Sequence, residues 1–423
     1  MSVARGTGGT VAIVDLYAPS RQVAAAFVAD GFDVVRVQST AEVPQFYRGS
    51  FEADEWADNI VHAGDLAETA EAVAKHEPIA VLAGGELGVE LADQLSETLG
   101  LPTNGTALTA ARRDKFVQIE TIKAAGLRGA RQTLVTSEEG LADWHRSTGG
   151  RVVVKPLRSA GNDGVAVCDD PAESVAAYRR ILAATTIFSE TNTAAVVQEY
   201  LVGGEYVVNT VSCQGRHRAT DLWKYSKMSV NGVRDRITGG HLVPADSPLR
   251  QQLVDYAFAV LDALGLQYGP AHLEIMMTAD GPCLVEVGAR ICGANKAYYA
   301  NLAANESQLE WTVDAYAHPE RFLAAYERPY VVARHVAISW PTSPKPGTLR
   351  SYPLLDDVRA LESFNNLELY IAPGGAVPQT VDDSTKSMAI GLAHREEEVV
   401  NRDFNTVCYL DGPGFYDLAE CTP

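Results

Sequence analysis

His272-Leu273-Glu274-Ile275-Met276-Met277-Thr278-Ala279-Asp280-Gly281-Pro282-Cys283-Leu284-Val285-Glu286-Val287-Gly288-Ala289-Arg290 is the stretch that decides the fold. Apolar residues alternate on both sides of Asp280-Gly281, the pattern of a β-hairpin with a tight turn. Glu274 falls on the first strand and Glu286 on the second. Pairing around the turn lets both carboxylates point to one face and meet. Adjacent carboxylates repel unless a cation lies between them. A small set of hard oxygen ligands suits Mg2+ held together with substrate phosphates. Arg290 follows four residues later, with a guanidinium fork that can hold an anion. The stretch therefore reads as metal, phosphate and a developing negative charge.

The 423 residues suggest roughly two to four domains. A hydrophobic content of 46% is enough for full cores, and 54 acidic against 35 basic residues give a net charge of −19. That balance argues against nucleic acid or an anionic membrane as the main partner. No apolar run reaches the length of a membrane span. The opening Met1-Ser2-Val3-Ala4-Arg5-Gly6 lacks the apolar core of a signal peptide. The six cysteines, Cys168, Cys213, Cys283, Cys292, Cys408 and Cys421, form no Cys-x-x-Cys pair. They read as reduced thiols, and the expected location is cytoplasmic.

Outward from the hairpin, the first hundred residues alternate strand and helix. Strands are expected at Val11–Asp15, Val34–Val37 and Ile79–Ala83, with helices at Arg21–Ala29 and after Gly84-Gly85 through Leu95. This is the pattern of a parallel α/β sheet. Gly6-Thr7-Gly8-Gly9 precedes the first strand, the wrong place for a dinucleotide loop, and no Walker A pattern occurs. A helix from Ala110 to Ala124 ends at Gly126. A strand at Arg131–Val135, a helix near Glu138–Arg146 and a strand at Val152–Lys155 follow. Pro156 to Val165 then supplies small, turn-forming residues whose backbone N–H groups can close on phosphate oxygens, or which form an ordinary hairpin loop. Ala195–Leu201 is a strand ending at Gly203-Gly204. Asp221 to Pro244 carries Lys224, Lys227, Arg234, Arg236 and His241, and reads as a mobile loop over an anionic ligand or a solvated loop. A helix spans Leu249 to Leu264, and Pro341–Gly347 sets off a C-terminal segment.

Taken singly, Lys115, Lys155 and Glu199 are most simply surface residues, and Arg290 a structural partner of either glutamate. Their order carries more: helix lysine, strand lysine, glycine loop, glutamate hinge, glutamate pair, arginine. From about residue 80 to 310 that order resembles the ATP-grasp superfamily, and within it the carboxylate–amine ligases that join amino acids. The resemblance implies an ATP-grasp fold, mixed α/β and α+β, with an N-terminal parallel α/β (Rossmann-like) domain and an added C-terminal segment. The expected divisions are 1–108 for the N-terminal domain and 109–198 for the small ATP-grasp subdomain. Residues 199–325 would form the large subdomain, with 326–423 packing on it.

The resemblance also implies roles. Lys115 and Lys155 would contact the ATP phosphates and the adenine edge. The loop from Ser159 through Gly161 to Gly164 would fold over the β- and γ-phosphates. Glu199 and Leu201 would meet adenine, and Glu205 the ribose hydroxyls. Glu274 and Glu286 would bind Mg2+, with Mn2+ able to substitute, and Arg290 would stabilise the reaction intermediate. His272 and Lys224 are candidates to reach substrate, with a packed structural histidine an equal reading of the former. Two places depart from the family pattern. Gly288 stands where many members have a metal-binding Asn, and Asn162-Asp163 puts an acid near the triphosphate.

The implied chemistry is activation of a carboxylate as an acyl phosphate, then attack by an amine, with release of ADP and phosphate. Small-molecule carboxylate and amine substrates and a homodimer are expected. The nearest rival is a purine-pathway or carboxylase-type ligase using bicarbonate or formate. The rival from another class is an ATP-binding regulatory module without turnover.

Overall fold

The computed structural model describes residues 8–17, 20–49 and 51–419. The opening Met1–Gly6, Thr7 and Cys421 lie outside them; the other five cysteines are free thiols. No helix among the described residues is long and apolar enough to cross a membrane.

The N-terminal strands Gly9–Val14, Phe32–Gln38, Asp58–Val61 and Pro78–Ala83 form a parallel sheet. The first strand lies between the second and the last, so the order reverses there. Ligands bind at the carboxyl ends of strands at such a switch point. Asp15 and Tyr17 follow the first strand, and Gly84, Gly85 and Glu86 its neighbour Pro78–Ala83; all five line one cleft.

A second, antiparallel sheet holds Gln132–Val135, Ala195–Glu199, Val152–Pro156 and Ala166–Cys168 in that order. Val135, Val152, Val154 and Val197 point into a core closed by Tyr178 and Ile181 of the helix Pro171–Ala183. Alternation along Val152–Pro156 turns Lys155 to the face opposite Val154.

The largest sheet has eight strands. It runs from Gly281–Gly288 through Gly269–Thr278, Gly203–Cys213, Arg216–Val230 and Val233–Leu242 to the C-terminal strands His335–Ser339, Met388–His394 and Phe364–Leu369. The helix Arg250–Ala263 buries Leu253, Ala257, Val260 and Leu261 against Leu273, Ile275 and Leu284 of this sheet. Each fully buried Val, Leu or Ile side chain among them contributes about 1.5–3 kcal/mol.

Two expectations change. Residues 221–244 are not a loop but most of a long hairpin whose turn is Asn231-Gly232, both at positive φ (56° and 78°). Asn-Gly suits this turn because both central residues need left-handed backbone. The helix expected over 110–124 is two helices, Thr109–Arg113 and Lys115–Ala124. Asp114 breaks them and caps the second, its carboxylate accepting from the Phe116 and Val117 N–H groups.

The strand Gly281–Gly288 is the edge of the large sheet, and an open edge is a liability. Gln118 covers it: its amide donates to the Val287 carbonyl at 2.9 Å and accepts from the Val287 N–H at 2.7 Å. All of these groups are buried, so Gln118→Ala leaves two backbone groups without partners. The expected loss is about 1–3 kcal/mol per group, read as a lower urea midpoint with unchanged slope.

Candidate active site

The hairpin pairs Glu274 directly with Glu286. A bulge between Glu274 and Ile275 lies next to the pair, a device that re-aims side chains. Lys115, the first residue of its helix, reaches across. Its Nζ is 3.0 Å from Glu286 Oε2 and donates to the Ser159 carbonyl at 2.7 Å. Lys155 Nζ donates to the Val285 carbonyl at 3.2 Å.

These neighbours push the two carboxylates apart. Burial, then the charge of Glu286, raises Glu274 to about 7. Burial would raise Glu286 too, but Lys115 and Lys155 outweigh it and hold that group down at about 2. Lys155, buried with Lys115 beside it, falls to about 8 despite the glutamates. The site thus concentrates opposite charges in a confined cleft, a pattern typical of functional sites.

The cleft around this pair has a volume of about 820 Å3, near the top of the range for small-ligand pockets. Lys115, Lys155, Ser159, Gly161, Gly164, Glu199, Leu201, Glu205, His272, Glu274, Glu286 and Arg290 all line it. Lys224 does not. It is exposed on its strand, while Tyr225 and Lys227, one and three residues further on and so on the opposite face, line the cleft. Lys227 forms an ion pair with Glu205, whose carboxyl is raised to about 7 by burial in spite of that partner. Glu199 accepts from the Arg131 backbone N–H and Nε, at 2.8 and 2.9 Å. His272 is tied through Nδ1 to Asn209 at 2.8 Å and lies 3.4 Å from Glu274 through Nε2.

The glycine loop is held in an unusual backbone shape. Gly161, Asn162 and Gly164 all have positive φ (67°, 63° and 70°), which side chains other than glycine and asparagine rarely tolerate. Asp163 is not a bare charge over the cleft. Its Oδ2 accepts from Ser159 Oγ at 2.5 Å and from the Ile187 N–H at 3.0 Å.

Gly288 has a structural reason. A Cβ there would lie 2.8 Å from Glu86 Oε2 and 3.2 Å from the Arg290 guanidinium carbon. Glu86 takes that space and pairs with Arg290 Nε at 3.1 Å and Arg113 Nη1 at 3.4 Å. Glu86, Lys296 and Asp383 line the cleft without having been singled out from sequence, and Lys227 and Arg236, which also line it, were named only among the basic residues of a supposed loop. Their places on the hairpin could have been found through the Asn231-Gly232 turn, which fixes which hairpin residues share a face. Lys296 and Asp383 sit in segments with no such signal.

The ATP-grasp domain family matches residues 149–297. Over 377 residues, 88% of each chain, the protein is 32% identical to dapdiamide A synthase of Enterobacter agglomerans. Its fold matches that of the L-amino acid ligase of Bacillus licheniformis with a TM-score of 0.75 at 17% identity, covering 99% of this chain and 100% of that one. The ADP-bound N5-carboxyaminoimidazole synthetase of Staphylococcus aureus matches with a TM-score of 0.67 at 14% identity, over 94% and 96% of the two chains. The chain belongs to the ATP-grasp superfamily, in its carboxylate–amine ligase group. It is an ADP-forming, ATP-dependent ligase that makes carbon–nitrogen bonds, and enzymes of this superfamily work with ATP and Mg2+.

The facing pair generates a direct test. Glu286→Gln keeps the shape but removes the charge that Lys115 and Lys155 surround. The variant is expected to fold like wild type by circular dichroism and to lose ATP-dependent ligation at saturating Mg2+. Glu274→Gln is expected to lose less.

Proposed function

We propose that the protein joins two amino acids, activating the carboxylate of one as an acyl phosphate for attack by the amine of the other. The observation that carries this reading is the facing Glu274/Glu286 pair with Lys115, Lys155 and Arg290 in one cleft. The full-length similarity to dapdiamide A synthase supports it. The parts 1–108, 109–198, 199–325 and 326–423 are the units we assign to the N-terminal domain, small subdomain, large subdomain and C-terminal segment.

In this reading Lys115, Lys155 and the loop Ser159–Gly164 hold the phosphates, Glu199 and Leu201 hold adenine, and Glu205 holds ribose. Glu274 and Glu286 hold Mg2+ or, in its place, Mn2+. The chain fits such an ion: two facing carboxylates with one kept ionised form a hard oxygen pair. Among the described residues no group of three or more His, Cys, Asp or Glu side chains converges as a metal cage, so phosphates and water would complete the shell. The ion would neutralise charge on the transferring phosphoryl group.

Arg290 faces the carbonyl carbon at the second step. Attack by the amine turns the carbonyl into an oxyanion, and the guanidinium stabilises it; losing one such donor costs about 10²–10³ in rate. The acyl phosphate is prone to hydrolysis, so water must be kept out. The glycine loop serves as lid. The Asn231-Gly232 hairpin, being two long paired strands, serves as wall. We assign the enzyme to the cytoplasm as a homodimer.

The deciding experiment is phosphate release from ATP across a panel of amino-acid pairs, with mass spectrometry of products. Dipeptides with one phosphate each are expected. A requirement for bicarbonate or formate would favour the carboxylase-type chemistry instead, and no turnover with any substrate would favour a regulatory role. Arg290→Ala separates the two steps. It is expected to lose amide product more than positional isotope exchange in ATP supported by the carboxylate substrate alone. Equal loss of both would move Arg290 to phosphoryl transfer.

A further inference from the structure

The C-terminal segment reaches the active site at one place. Val381, Asp382 and Asp383 line the cleft beside Gly161 and Asn162 of the glycine loop. The turn that presents them is stiff. Asp382 Oδ1 accepts from the Ser384 and Thr385 N–H groups, and the Thr385 hydroxyl accepts from the Asp382 N–H at 2.9 Å. Its base is fixed to the large hairpin by Asn231, whose amide donates to the Ser343 and Thr380 carbonyls at 2.9 and 2.8 Å.

Asp383 makes contacts in two directions. Its backbone N–H approaches the Gly161 carbonyl at 3.5 Å, and its Cβ lies 3.6 Å from where a Gly161 side chain would start. Its Oδ1 meets Lys386 Nζ at 2.7 Å and Arg236 Nη1 at 3.4 Å. Lys386 in turn lies over the Trp340 ring at 4.1 Å, which fixes its ammonium. Burial acts to raise the Asp383 carboxyl, but Lys386 and Arg236 outweigh it and keep the group ionised.

Arg236 is the unexplained member. It is only 2% exposed, yet its Nε and Nη2 have no hydrogen-bond partner. Nη1 alone is engaged, by the Ile237 carbonyl at 2.9 Å and by Asp383. A buried guanidinium edge without an acceptor is costly. In a cleft that binds a triphosphate, the natural acceptors are phosphoryl oxygens, which match the fork of an arginine.

We propose that Asp383 is a positioning residue of the ligase reaction, joining Gly161 of the glycine loop to Arg236 so that loop closure and the aim of the guanidinium occur together. This rests on the ligase reading above. In this assignment Asp383 acts through Gly161 and Arg236 rather than on the substrate itself. It holds one corner of Arg236 and gives the closed loop a seat; the other guanidinium edge, sealed in this structure, turns to the phosphoryl group only as the loop closes. With the seat weakened, the loop closes less completely and water reaches the acyl phosphate. The acyl–oxygen bond is then cleaved by water instead of the amine, releasing free carboxylate and phosphate. ADP accumulates without amide.

The test compares wild type with Asp383→Asn and Asp383→Glu, measuring ADP and amide in the same reaction together with kcat and the KM for ATP. Asp383→Asn keeps the backbone contact to Gly161 but loses the ionic hold on Arg236. It is expected to lower kcat by an amount on the order of 10²-fold, the scale of a misplaced catalytic group, and to form more than one ADP per amide. Asp383→Glu is expected to restore most of the coupling. Wild-type kcat with one ADP per amide in Asp383→Asn overturns the proposal. So does an equal fall in kcat for both variants with coupling intact, which marks a purely structural role. A wild-type enzyme that makes no amide with any pair overturns the ligase reading itself, and that result appears before any variant is made.

Discussion

Two carboxylates facing each other across one hairpin set the terms for everything around them. Two unit charges about 4 Å apart repel by about 4 kcal/mol at an effective dielectric near 20. The fold relieves this by asymmetry. Lys115 and Lys155 both favour Glu286, which stays ionised, while Glu274 drifts up to about 7. A helix break at Asp114, a strand alternation at Lys155 and a glutamine laid along a sheet edge all place groups around this pair. The rest of the cleft is built outward from it.

The hairpin was legible because its residues obey the simplest rule of strand structure, one face apolar and one face functional, around a tight turn. The glycine loop was legible from its composition and its place after a buried strand. The parallel sheet of the N-terminal region followed from alternating strand and helix patterns. The hairpin over Arg216–Val230 and Val233–Leu242 was misread for a physical reason. Near the turn polar and charged side chains dominate, since one face meets solvent and the other a charged cleft, and Met228, Val230 and Val233 are too few to show a strand pattern. The Asn231-Gly232 pair was the available signal.

Other parts of the site could not be read at all. Glu86 reaches Arg290 across 204 positions, and Asp383 reaches Arg236 across 147. Neither contact leaves a mark in local pattern, because each depends on how separate sheets are stacked. Gly288 shows the same limit from the other side. In the sequence it is a missing amide ligand; in the structure it is the room that a distant glutamate needs.

The eight-stranded sheet has a consequence for how such enzymes can be recombined. Its ladder crosses without interruption from the hairpin strands to His335–Ser339, Met388–His394 and Phe364–Leu369. The proline-rich loop at 341–347 looks like a hinge in the sequence, yet the seam lies upstream, between Val233–Leu242 and His335–Ser339. A graft cut at the loop would carry Met388–His394 and Phe364–Leu369 away from His335–Ser339 and leave that strand as an open edge. Exchange of C-terminal parts between relatives must therefore respect the ladder rather than the loop.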